Sequence, residues 1–236
     1  MEISEIINDA LRFPFNNIMS LVLYFALSFI AALIAIFTGV SAVLTTRTNS
    51  GAGIIVTLIG IALCLVISFI IDGYALDIVK SGINRNNYGP SIDLTRQLFN
   101  GIKLFIVQIV YLIIPIIVAV ILSLFLQRWI VAIISFILII LFGFVLSMAV
   151  CRLAKTEELN YALNISEAIG DLQTIGITKV LITVFAVVVI TFIVVAILQL
   201  IFGAISKDIA SIVTGLASIY FLFFSNRVNG LLYSEI

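Results

Sequence analysis

The sequence predicts an all-α bundle that spans a membrane, and three observations carry that expectation. Hydrophobic residues make up 63% of the 236-residue chain and charged residues only 10%, whereas a soluble domain is roughly half apolar and about a quarter charged. Six apolar runs recur along the chain, each at or near the roughly 20 helical residues that cross a hydrocarbon core. The polar residues gather between those runs instead of interrupting them. A globule of this length could not hide so much apolar surface from water.

Residues 2–13 place Ile3, Ile6, Ile7, Ala10 and Leu11 on one helical face, with Glu2, Glu5, Asp9 and Arg12 on the other. That is an amphipathic helix, ended or kinked by Pro14 and expected at the membrane interface. Its acids outnumber its single base, so it lacks the positive start of a cleavable signal, and the first span is expected to remain as an anchor. Ile18–Leu44 is that first span. Ala31, Ala35 and Gly39 recur along it every four residues, a small-residue stripe that permits close helix approach. Thr45–Ala52 reads as a polar turn and Gly53–Ile71 as the second span, with Gly73-Tyr74 closing it just after Asp72.

Asp72–Lys103 is the longest polar stretch. Gly89-Pro90 breaks the chain within it, Ser91 is placed as an N-cap, and Asp93 lies in the first turn, where negative charge is favoured. Leu94, Leu98, Phe99 and Ile102 then give Ser91–Lys103 the face of a second amphipathic helix. Phe105–Leu126 is the third span, with a mild kink expected at Pro115. Gln127-Arg128 is a minimal turn, and Trp129 opens the fourth span as an interfacial anchor. Arg152–Asp171 is the next polar connection. Ile177–Gly203 is the fifth span, Ser206-Lys207-Asp208 a tight turn, and Ile209–Phe224 a short sixth span marked by Ser211 and Gly215. The tail Ser225–Ile236 is too brief to be a domain.

An even number of spans puts both termini on one side. That side carries nine basic residues (Arg12, Lys80, Arg85, Arg96, Lys103, Arg152, Lys155, Lys179, Arg227), and the opposite turns carry three, Arg47, Arg128 and Lys207. The positive-inside rule therefore places both termini in the cytoplasm of a multi-pass protein of the plasma membrane. The chain reads as one membrane domain over 1–236, with repeat units of approximately 1–80, 90–153 and 160–236. Ile3-Ser4-Glu5-Ile6-Ile7 returns as Ile165-Ser166-Glu167-Ala168-Ile169, and Ser91-Ile92-Asp93-Leu94 holds the matching place before the third span. The expectation is three hairpins, each led by a cytoplasmic amphipathic helix.

Net charge is zero, which removes the electrostatic argument for nucleic acid. There is no histidine, so imidazole chemistry and the common metal sites are absent, and no cofactor is expected. Cys64 and Cys151 read as small buried hydrophobes. No span has an ionisable residue near its centre. Gln108 and Gln199 are the most polar intramembrane residues, either as a midplane substrate site or, the favoured reading, as interhelical hydrogen bonds. The acids Asp72, Asp77, Asp93, Glu157, Glu158, Glu167 and Asp171 share a side with most of the bases, so neutralisation explains them better than a carboxylate pair. An enzyme is not expected. Asn164-Ile165-Ser166 matches a glycosylation acceptor, inert on the cytoplasmic side.

Several short motifs stand out: Gly73-Tyr74-Ala75-Leu76, then Pro90 with Leu98-Phe99-Asn100-Gly101-Ile102-Lys103 leading to Tyr111 and Pro115. Arg152-Leu153-Ala154, Ala162 with Glu167-Ala168, and Asn226-Arg227 with Gly230-Leu231-Leu232-Tyr233 complete the set. On these the chain resembles a family of uncharacterised, mostly archaeal, multi-pass integral membrane proteins filed as a domain of unknown function. The family pattern often has Leu-Pro where this chain has Gly89-Pro90. The resemblance implies fold and location and transfers no activity. Tyr74, Pro90, Asn100, Gly101, Lys103, Arg152 and Arg227 are the expected cytoplasmic interface. The expected role is a membrane interaction or scaffold protein affecting envelope or lipid organisation, with the bilayer, a homo-oligomer or other membrane proteins as partners. The alternative is a carrier for a small or lipidic molecule.

Overall fold

The apolar runs fold as helices longer than a bilayer requires. A computed structural model describes residues 1–48 and 51–236. Among the described residues all regular structure is helical: α1 (Ile3–Asn16), α2 (Ile18–Thr48), α3 (Gly51–Ile83), α4 (Leu94–Ser123), α5 (Arg128–Thr156), α6 (Leu159–Ala162), α7 (Ile165–Ile175), α8 (Ile177–Gly203) and α9 (Lys207–Tyr233). Six of these, α2 to α5, α8 and α9, are long and apolar enough to cross a membrane. The turn expected over Thr45–Ala52 falls partly outside the described residues, as does the side chain of Arg47.

The 33 residues of α3 extend about 50 Å at 1.5 Å each, against a hydrocarbon core of about 30 Å. The surplus lies at the end of the bundle where Met1 N meets Glu235 Oε1 at 2.8 Å. Gly73-Tyr74 does not close the second span, because α3 runs on through Ile83. Ser91–Lys103 is not a separate surface helix either: residues 94–103 are the first turns of α4, in phase with the span that follows. Asp93, not Ser91, is the N-cap, its carboxylate accepting Arg96 N at 3.1 Å. The true break is 84–93. Arg85 closes α3 at φ 51°, with Arg85 N donating to Gly82 O and Asn86 N to Ser81 O, the paired bonds of a Schellman motif.

Helices α2 and α3 run antiparallel along a seam of small and hydroxylated residues. Ser41 Oγ donates to Gly53 O at 3.2 Å, Thr57 Oγ1 donates to Ser41 Oγ at 3.3 Å, and Thr38 covers Gly60. Of the expected stripe only Ala31 reaches this seam, its carbonyl 3.7 Å from Cys64 Sγ; Ala35 and Gly39 face outward. A strict four-residue spacing drifts around a 3.6-residue helix, whereas the 3–4 alternation of Thr38, Ser41 and Thr45 holds one line.

The core sits at the surplus end. Ile6, Ala10 and Phe13 of α1 are buried, and Tyr220 of α9 donates its hydroxyl to Leu11 O at 2.8 Å, so the apolar face of α1 packs on the bundle. Ala168, Leu172 and Ile175 of α7 are likewise buried, as are Tyr74–Val79, Met148, Cys151, Leu153 and Ala154. In the far halves Ile54, Leu58, Val120, Phe136 and Phe192 stand exposed. Burying apolar surface stabilises only where the alternative is water; hydrocarbon offers the far halves no such gain. Amphipathic helices precede α2 and α8 but not α4, where irregular chain takes that place.

Candidate functional site

Four polar joints tie the helices together at the surplus end, here called the platform. The deepest centres on Arg227 of α9, which has no exposed surface. Its Nε donates to Asp9 Oδ1 at 2.8 Å, Nη1 to Asn86 O at 2.6 Å and Nη2 to Asn87 Oδ1 at 3.3 Å. The guanidinium also lies 4.7 Å over the ring of Phe13. One side chain thus fastens α1 and the 84–93 segment to α9. A buried guanidinium is tolerable only when its donors are matched in this way.

The second joint centres on Asp77 of α3, also buried. Arg96 grips it with two bonds, Nη1 to Oδ1 at 3.1 Å and Nη2 to Oδ2 at 3.0 Å. Gln97 Nε2 donates to Asp77 Oδ2 at 3.2 Å, while Gln97 Oε1 accepts the hydroxyl of Tyr24 at 2.5 Å. The joint therefore spans α2, α3 and α4. Tyr74 stacks on Tyr24 beneath it at 4.0 Å.

Arg152 of α5 makes the third. It pairs with Glu167, donates Nη1 to Asp171 Oδ2 at 2.8 Å and Nε to Tyr161 O at 3.0 Å. Tyr233 of α9 donates to the same Asp171 oxygen at 2.7 Å. Asn164, the formal glycosylation match, is spent as the N-cap of α7, accepting Glu167 N at 3.3 Å.

The fourth gathers around Glu157, which caps α5 in the left-handed conformation. Lys80 Nζ reaches Glu157 Oε1 at 2.5 Å, and Lys103 Nζ donates to Glu157 O at 2.9 Å, joining α3, α4 and α5. The hydrogen bond from Lys80 holds the Glu157 carboxyl below the ordinary carboxylate range, against a smaller opposing effect of burial. A lowered folded-state value makes its contribution complete above the ordinary value of 4.5 and lost as pH falls through the lowered one. Thermal midpoints measured from pH 6 down to pH 3 should fall less steeply for Glu157→Gln than for the unmodified protein.

Glycines set the approach of the backbones that carry these joints. A Cβ on Gly73 would overlap the carbonyl of Gln97, and one on Gly101 would overlap the carbonyl of Phe69, so α3 and α4 cross on a reciprocal pair. Gly82 and Gly230 do the same for α3 and α9.

Of the seven expected interface residues, Tyr74, Asn100, Gly101 and Arg227 are buried, and Pro90, Lys103 and Arg152 are half-buried. All lie at the platform, and Lys103, Arg152 and Arg227 take part in its joints. The glutamines are elsewhere. Gln199 is exposed on α8 and donates to Thr214 Oγ1 of α9 at 2.8 Å, an interhelical hydrogen bond; Gln108 is half-buried on α4. Cys151 is buried and Cys64 half-buried, both free thiols. Sequence reasoning missed Tyr24, Arg96, Gln97 and Tyr233 as partners, and placed Asp9 on a polar helix face and Asp77 among the neutralised acids without naming the Arg that pairs with each. Their only signal is position, within a few turns of the edge of an apolar run.

Six long apolar helices that meet at one end in paired charges define a polytopic helical membrane protein. A family model described as "Protein of unknown function (DUF4013)" matches residues 56–207, more than half of the chain, and the chain belongs to that family. The match runs from within α3 to the start of α9, so Asn226–Tyr233 lies beyond it. No curated protein and no solved structure matches.

Proposed function

We propose that the protein is a membrane scaffold. Its platform lies on the cytoplasmic face of the plasma membrane, and its far halves offer lateral surfaces to lipid or other membrane proteins, thereby organising envelope or lipid. One observation carries the reading: the platform charges Asp77, Glu157, Arg152 and Arg227 join helices, while large apolar side chains of the far halves stand exposed. The nine-to-three distribution of bases supports the cytoplasmic placement. The pairing of Asp9, Asp77, Glu157, Glu167 and Asp171 with Arg or Lys supports a role without catalysis.

A carrier with a midplane site at Gln108 and Gln199 has less support. The two residues sit on different helices, and Gln199 is already bonded to Thr214.

Cross-linking in native membranes, followed by extraction in mild detergent and mass determination, tests the scaffold. A discrete oligomer or a stoichiometric membrane-protein complex is the expected result. A lone monomer at every cross-linker concentration would overturn it.

A further inference from the structure

Helices α7 and α8 are joined by a single residue, Gly176. Its φ of 97° lies in a region that favours glycine. We propose that Gly176 is a hinge and that α8 is a gate, swinging on it across the face of α9.

The base of the hinge is fixed. Helix α7 buries Ala168, Leu172 and Ile175, and Arg152 of α5 holds it through Glu167 and Asp171. A Cβ on Gly176 would meet nothing within 4 Å. Packing therefore does not call for glycine there; backbone conformation does.

The arm beyond it is loosely seated. Of the 27 residues of α8 only Val180 and Thr183 are buried, both within two turns of the hinge. Along the boundary with α9 two clefts follow one another, of about 390 Å³ and 640 Å³, meeting at Val187 and Ser225. The first also borders α5 at Phe144 and Ser147. Closely packed interiors hold few voids larger than a water molecule, so α8 has room to close on its neighbours.

Two catches hold the arm, and they differ in leverage. Lys179 Nζ donates to both Glu235 oxygens at 2.7 Å and to Met1 O at 2.8 Å. It lies three positions from the hinge, so a tilt of about 10° displaces its backbone by less than about 1 Å. Gln199 lies 23 positions from the hinge, about 34 Å along the helix, and the same tilt carries it roughly 6 Å. Its 2.8 Å bond to Thr214 Oγ1 is the only hydrogen bond between α8 and α9 among the described residues, and such a tilt breaks it. The link 204–206 reaches about 10 Å when extended and lets the end of α8 move.

Helix α9 is the least apolar of the six spans, and its Ser218, Ser225, Asn226 and Asn229 line the two clefts. The first three donate to carbonyls of α9 itself. The Asn229 carboxamide has no hydrogen-bond partner among the described residues, so its surroundings carry a free-energy cost that depends on where α8 stands. That dependence separates the two positions of the gate in energy.

The gate is independent of the scaffold reading, and a fixed α8 would leave the cross-linking result untouched. Double electron–electron resonance on the full chain in phospholipid nanodiscs provides the test, with Cys64→Ala and Cys151→Ala as background. Nitroxides enter at exposed positions, through Leu63→Cys on α3 paired with Phe192→Cys on α8 or with Phe136→Cys on α5. The α3–α8 distance distribution should be at least twice as wide as the α3–α5 one, or split in two. Thr214→Val, which frees Gln199, should change the ratio of its components at least two-fold. Should the background fail to accumulate, Cys151 can stay, because it is fully buried. Equal widths in the two pairs, or an α3–α8 distribution that ignores Thr214→Val, would overturn the proposal.

Discussion

Arg227→Met is expected to lower the thermal midpoint of the detergent-solubilised protein by on the order of 10 °C. Removing one partner of a fully buried charge pair costs about 3–5 kcal/mol, and the lower end applies here because the Asp9 side chain keeps 31% of its surface exposed. In a chain of this size roughly 2–4 °C accompanies each kcal/mol. Here the group left behind is Asp9, together with the carbonyl of Asn86 and the amide of Asn87. Arg227→Lys should recover little. An ammonium carries its three donors on one nitrogen and cannot reach acceptors that the guanidinium meets separately from Nε, Nη1 and Nη2, nor lie flat over Phe13. Pairing Arg227→Met with Asp9→Asn should cost less than the sum of the two changes, since the orphaned carboxylate is then neutral. Fluorescence-detected size-exclusion after a temperature series reads these four variants beside the unmodified protein.

Gly101→Ala is the second large effect. In most helices exchanging glycine for alanine stabilises by up to about 1 kcal/mol. At Gly101 the new methyl would overlap the backbone carbonyl of Phe69, and a backbone group cannot rotate away as a side chain can. Overpacking costs about 1–3 kcal/mol even among yielding side chains, so the expected loss lies at or above the top of that range. Gly73→Ala strikes the same crossing from α3, against the carbonyl of Gln97. Either change separates α3 from α4 and pulls Asp77 away from Arg96 and Gln97. The midpoint should therefore fall with both, and the double variant should be less than additive.

Much of this fold is legible in the residues. The six spans follow from hydropathy alone, because a run of some 20 apolar residues has few alternatives. The helix lengths do not follow. Hydropathy ends at Asp72, but helicity does not, since Tyr74, Ala75, Leu76 and Lys80 are adequate helix formers and nothing interrupts the chain before Asn84. The same holds at Ser225–Tyr233, which reads as a tail and folds as the most buried part of α9. The excess of charge on one side is visible in sequence; the pairings are not. Arg227 and Asp9 are separated by 218 positions and Arg152 and Asp171 by 19, and only the crossing of the helices selects them. Small residues mislead for a related reason. Ala35 and Gly39 look like a contact stripe, yet the glycines set directly against another helix's backbone are Gly73, Gly82, Gly101 and Gly230.

A bundle whose charged joints gather at one end, with the α2–α3 seam closing the other, is tested most directly by one substitution made inside the platform and outside it. Gly101 lies in the crossing of α3 and α4; Gly143 lies midway along α5 on an exposed face, where an added Cβ meets nothing within 4 Å. Thermal midpoints of Gly101→Ala and Gly143→Ala, measured side by side in one detergent, should move in opposite directions or differ by several degrees, with Gly101→Ala below the unmodified protein and Gly143→Ala at or above it. Equal shifts at the two positions would contradict a core confined to the platform.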